Sequence, residues 1–227
     1  MLTHLKRTIT TGALVATLAA GTFTGVAQAE TTTNTPGTAA ESGYTYLAGQ
    51  HKYKFKYIKQ DQGQRWQWVD CGPTSVLMAL LDNGGQIPRS YNERNQAAAI
   101  TELRSEAPSG GAEGTNNLYT ADVVKILENR GVSGTAMARD NAVNAIAELK
   151  QGKKAIVLTQ TGILREGKTD PGYGHFVYVS GYNPRTGTFT VNDPLNKRGR
   201  SFEASEAEMH TMITSPAKGN NQWVYVI

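Results

Sequence analysis

From Thr74 to Leu81 the chain runs Thr-Ser-Val-Leu-Met-Ala-Leu-Leu, without a charge, a glycine or a proline. Such a run forms a stable helix only if it is covered on every side, so the rest of the chain must pack around it. Its ends are marked by local chemistry. Pro73 has the fixed φ suited to a first helical turn and no N–H to leave unpaired, while Asp82-Asn83-Gly84-Gly85 supplies residues that tolerate the left-handed conformation of a C-terminal cap. At the head of this helix, in Asp70-Cys71-Gly72, stands the single cysteine of 227 residues. Unpaired backbone N–H groups and the positive end of the helix dipole meet there, and both favour a thiolate over a thiol. A lone cysteine is more often an inert small hydrophobe. Its polar, flexible neighbours argue otherwise here, and so does the address of the chain.

That address is read from residues 1–29. His4, Lys6 and Arg7 precede an apolar stretch from Ala13 to Val26, and Ala27-Gln28-Ala29 fits a small-x-small cleavage site, so the segment is expected to be a signal peptide and the protein secreted. The stretch is broken by Gly and Thr and falls short of the roughly 20 residues of a spanning helix, so no stable membrane insertion is expected once it is removed. In an oxidising compartment an unpaired thiol is a liability unless it is used. Residues 30–43, small and polar around one Pro-Gly, are expected to be a disordered linker, leaving residues 44–227 as one domain with one substantial core. Lys6 and Arg7 leave with the signal, taking the formal charge from +4 to near +2, which argues against nucleic acid as a partner.

The remainder divides into a helical part and a strand-rich part. Tyr44 to Ile58, where Lys52, Lys54 and Lys56 alternate with Tyr53, Phe55 and Tyr57, predicts an extended lead-in segment or edge strand. A loop rich in Gln and Trp carries the chain to Cys71, with Gln60, Gln64 and Gln67 preceding the thiol. Further helices are expected at Asn92–Glu106, at Ala121–Arg130 capped by Thr120, and after Asp140 with Val143, Ile146, Ala147 and Leu149 on one face. The Gly-rich stretch Pro108–Asn117 lacks the lysine and threonine of a phosphate-binding loop and is expected to be a plain connection. Strands are expected at Lys154–Thr161, His175–Tyr182, Thr188–Asp193 and Gln222–Ile227, with a short helix near Ser205–Ile213. Helices followed by an antiparallel sheet make an α+β domain.

The hairpin of the second and third of these strands turns at Asn183–Gly187. Pairing Tyr182 with Thr188 puts the odd-numbered residues of both strands on one face, where Val177, Val179, Phe189 and Val191 make a core side that ends in His175 and Asp193. A thiol, an imidazole and a carboxylate are the groups that nucleophilic acyl transfer requires. His51 and His210 have no comparable companions, and one cysteine with three mature histidines, none at ligand spacing, offers no zinc site. No metal or cofactor is expected.

Asp70-Cys71-Gly72-Pro73-Thr74-Ser75, Gly174-His175-Phe176-Val177 and Asn192-Asp193-Pro194, in that order, resemble the papain-like cysteine peptidases of the bacteriocin-processing type, whose membrane-bound members cut leader peptides after a Gly-Gly pair. The resemblance spans residues 57–194. It implies a papain-like fold, with the nucleophile at a helix N-terminus packed on a C-terminal antiparallel sheet. It further implies Cys71 as nucleophile, His175 as general base and acid, and Asp193 as the group orienting the imidazole. An upstream glutamine should help bind the oxyanion, with Gln60 the first choice, Gln64 the second and Gln67 the third. The well-known relatives are domains fused to a transporter, whereas this chain reads as a stand-alone secreted monomer, so the chemistry is carried over and the Gly-Gly substrate is not. The expected partner is a peptide or protein substrate. Two other functions fit the same core: an acyltransferase of the transglutaminase kind, or a non-catalytic binding or inhibitory module.

Overall fold

Helix α1 (Cys71–Asn83) forms where the uncharged run predicts it, and every residue from Gly72 to Leu81 is buried. It ends at Gly84, whose φ of 80° is left-handed and whose N–H returns to the Leu80 carbonyl. The structure, a computed structural model, describes residues 53–109, 117–164 and 172–227. The expected signal peptide, the linker, the beginning of the lead-in segment and most of the Gly-rich connection lie outside the described residues.

Helices α2 (Ala97–Ser105) and α3 (Thr120–Asn129) follow. Next come strand β1 (Thr135–Ala138), a 3-10 turn (Arg139–Asn144), α4 (Ala145–Lys150), β2 (Ala155–Gln160) and the one-turn helix α5 (Thr161–Leu164). The chain ends with β3 (Gly174–Asn183), β4 (Thr188–Asn192), β5 (Phe202–Ser205), α6 (Glu206–Thr214) and β6 (Trp223–Val226). The six strands form one antiparallel sheet in the order β1-β6-β2-β3-β4-β5. On one face α1 packs against the sheet, with α2 and α3 on α1, in a core that includes Ile156, Leu158, Phe176, Tyr178, Trp223 and Tyr225. On the other, α4 and α6 cover Ala155, Val157, Val177, Val179, Phe189, Val191, Val224 and Val226. The domain is α+β, helices on both faces of one antiparallel sheet.

The middle strands therefore bury both faces, where one buried face was expected. Alternation explains it: on β3, before its bulge, Phe176 and Tyr178 face α1 while Val177 and Val179 face α4 and α6. The expected hairpin register holds only at its inner end. Val179 pairs with Val191 and Tyr178 with Asn192, but a bulge at Ser180 shifts the rest, so Tyr182 faces Phe189 instead of Thr188. The side-chain amide of Asn192 explains the bulge, donating to the Tyr178 carbonyl (3.0 Å) and to the Ser180 hydroxyl (3.0 Å).

Other boundaries moved for local reasons. Asn92 and Asn95 spend their side chains on the Arg94 and Ala97 N–H groups, both at 2.8 Å, so α2 begins at Ala97 and not at Asn92. Asp122, not Thr120, caps α3 by accepting the Tyr119 N–H at 2.7 Å. The segment after Asp140 makes a 3-10 turn before α4 begins at Ala145. The described part of the lead-in segment, Tyr53 to Ile58, forms no strand: its Tyr53, Phe55 and Tyr57 rest on the helical core instead. Edge strands β1 and β5, four residues each, carry too little apolar pattern to be expected.

Candidate active site

Cys71 is the first residue of α1 and is only half-buried. His175, 2% exposed, lies one residue inside β3, and Asp193 directly follows β4. The three side chains meet. His175 stands against the Cys71 thiol, close enough for its charge to act on the sulfur, and through Nε2 donates to Asp193 Oδ1 at 2.6 Å. With Nε2 on the carboxylate, Nδ1 is the ring nitrogen left for the sulfur. Asp193 is held in turn, since the same Oδ1 accepts the Leu195 N–H at 2.8 Å and its backbone carbonyl accepts the Tyr57 hydroxyl at 2.6 Å.

The electrostatics follow from this contact. Burial pushes the Cys71 thiol up, but hydrogen bonding and charge from His175, with the Phe176 and Gly72 backbones, outweigh it and hold the thiol below its ordinary range. Burial would likewise drive His175 down, yet Asp193 and Cys71 together carry it up to about 10. The pair titrates as a unit, and with the thiol lowered and the imidazole raised the thiolate–imidazolium form is favoured over the neutral pair.

The residue before Cys71 is fixed just as firmly. Asp70 is buried, with Oδ1 on Arg104 Nε at 2.5 Å and Oδ2 on the Gln64 amide at 2.9 Å. Arg104, fully buried on α2, also holds the Val69 carbonyl at 2.9 Å. Burial raises the Asp70 carboxyl, with Arg104 and Gln64 opposing. Across the helix, the Ser75 hydroxyl donates to the Phe176 carbonyl at 3.1 Å, tying the cysteine helix to the histidine strand.

The three glutamines are used differently. Gln64 spends its amide on Asp70 and on the Gln60 carbonyl, the latter at 2.5 Å. Gln67, half-buried, accepts the Gly63 N–H at 2.9 Å. Gln60 is fully buried, its backbone N–H is on the Pro194 carbonyl at 3.0 Å, and its Nε2 donates to the Gln67 carbonyl at 2.7 Å. Reversing that amide would set two oxygens against each other, so Nε2 is fixed in place with a second N–H still to give. His210 is exposed on α6, and His51 lies outside the described residues.

The sequence reading passed over Arg104 and Tyr57. Arg104 had a signal: it sits four residues after the buried Ile100 on one face of α2, where a lone charge demands a buried partner. Tyr57 reads in the sequence as one of the alternating aromatics of the lead-in segment and as the start of the resemblance, with no sign there of its contact with Asp193.

Among solved structures, the chain is similar to the peptidase domain of Streptococcus ComA, a bi-functional ABC transporter involved in a quorum-sensing pathway, at 15% identity and a TM-score of 0.46, over 76% of this chain and 96% of that one. No curated protein matches. The model of the Peptidase_C39-like family matches residues 52–212, most of the chain, and with that match the protein belongs to the Peptidase_C39-like family.

Proposed function

We propose that the protein is a secreted cysteine peptidase or amidase that cleaves its substrate through a thioester on Cys71. The observation that carries this is the placement of His175 between the Cys71 sulfur and the Asp193 carboxylate. Family membership supports cysteine peptidase activity, and the roles of the individual residues are our reading.

The Cys71 thiolate adds to the substrate carbonyl carbon, and the oxygen takes the negative charge. Two donors serve that oxygen, the Cys71 backbone N–H at the open end of α1 and the remaining N–H of Gln60. His175 gives its proton to the leaving amine as the carbon–nitrogen bond breaks, and the acyl group stays on sulfur. The neutral imidazole then takes a proton from water, whose oxygen displaces the sulfur and releases the acid. Asp193 holds the ring throughout, so that the same nitrogen faces the sulfur in both halves.

The test is hydrolysis of a peptide mixture by the purified protein, with mass spectrometry of the protein itself during turnover. Wild type should carry a transient acyl group on Cys71, and Cys71→Ala should lose cleavage while keeping the native circular dichroism spectrum. Cleavage that survives in Cys71→Ala would refute the mechanism.

A further inference from the structure

Among the described residues, the large apolar side chains left in solvent are Trp68 at 68% exposure, Tyr119 at 60% and Tyr173 at 86%. Scattered exposed aromatics need no explanation. These three are not scattered: Trp68 is three residues before Cys71, Tyr173 two before His175, and Tyr119 follows a residue packed at Gly72, and each ring is exposed. Trp68 lies between Gln67, whose carbonyl takes the Gln60 amide, and Val69, whose carbonyl takes Arg104. Tyr173 precedes Gly174 and His175, and its carbonyl accepts the Thr161 N–H at 3.1 Å. Tyr119 is held by Asp122 and follows Leu118, whose side chain stands 3.4 Å from where a Cβ on Gly72 would be, as does the Phe176 ring. One ring thus belongs to the cysteine side, one to the histidine side and one to the helix beside Gly72.

Resting on the peptidase reading above, we propose that Trp68, Tyr119 and Tyr173 form the rim that grips substrate, and that the enzyme selects peptides with aromatic or large aliphatic side chains within a few residues of the scissile bond. Rings fixed at the backbone and bare at the tip lose little conformational freedom when a ligand covers them, and an apolar substrate side chain would remove both surfaces from water. The alternative is selection of acidic side chains by the exposed basic residues Lys197 and Arg200 in the loop after Asp193.

The experiment is digestion of a mixed-sequence peptide library by the wild-type protein and by Trp68→Ala, Tyr119→Ser and Tyr173→Ser, with iodoacetamide labelling of Cys71 measured in parallel. Cut sites should be enriched in aromatic and large aliphatic residues. Each variant should lose about tenfold in kcat/KM on the best apolar peptide, mostly through KM, with labelling of Cys71 unchanged. Cutting with no apolar enrichment, cutting at acidic sequences, or variants that match wild type overturns the rim while leaving the peptidase reading intact. An uncut library overturns the rim as well, and if Cys71 then labels like a free thiol the peptidase reading falls with it.

Discussion

At the residue scale the site is a relay of paired groups in which each side chain fixes the next: Leu195 N–H to Asp193, Asp193 to His175, His175 to Cys71. The charge on Asp193 is one of the forces holding the proton on His175. Asp193→Asn keeps an oxygen that can accept the ring N–H but removes that charge. The imidazolium should then lose its proton at lower pH, so the alkaline limb of the kcat/KM profile, set in wild type by a His175 pKa near 10, should move to lower pH in the variant. The profile measured from pH 5 to 11 checks this. Gln60→Ala should lower kcat by about 10²–10³-fold, the usual effect of one lost oxyanion donor, while the alkylation rate of Cys71 stays near wild type. The meeting of the cysteine with its two companions was legible because cysteine and histidine are scarce in this chain and the hairpin pairing sets Asp193 beside His175. The choice among Gln60, Gln64 and Gln67 was not, because it depends on which amide is already spent, and only contacts between segments show that.

At the scale of elements, α1 is the part of the fold the sequence exposes most directly, since a capped, uncharged run within the domain needs cover on every side. What holds its N-terminus was hidden. Asp70 and Arg104 are 34 positions apart and meet through α1 and α2 packing, which no local pattern encodes. Arg104→Met should cost about 3–5 kcal/mol, because it leaves the Asp70 carboxylate buried and uncompensated, and Asp70→Asn in the same chain should recover part of the loss. Urea unfolding of the single and double variants measures both. The β3–β4 hairpin shows a related limit. Its inner register follows from the odd-numbered apolar residues, whereas the bulge at Ser180 depends on where the Asn192 side chain points, and the residue type alone does not say. The start of α2 was hidden for the same kind of reason, set by where the Asn92 and Asn95 side chains point, whereas the edge strands are too short to show a pattern.

At the scale of the whole molecule, one sheet is the shared wall of two cores. Ile156 and Val157 are adjacent on β2 but belong to opposite clusters, one under α1 and the other under α4 and α6. Ile156→Ala should cost about 2–5 kcal/mol and Val157→Ala somewhat less, and both should lower a single unfolding transition, because neither core keeps its wall when the sheet melts. Far-ultraviolet circular dichroism and tryptophan fluorescence, to which the buried Trp223 contributes alongside Trp66 and Trp68, should follow the same curve. This coupling is what lets a cysteine on a helix and a histidine on a strand stay in register. The most direct test of that meeting is the rate of Cys71 alkylation by iodoacetamide as a function of pH, in wild type and in His175→Ala. Wild type should react at a plateau that persists well below pH 8, with the rise of an ordinary thiol near pH 8.5 appearing only when the imidazole is removed. A wild-type curve that already rises near pH 8.5, unchanged in His175→Ala, would contradict the account.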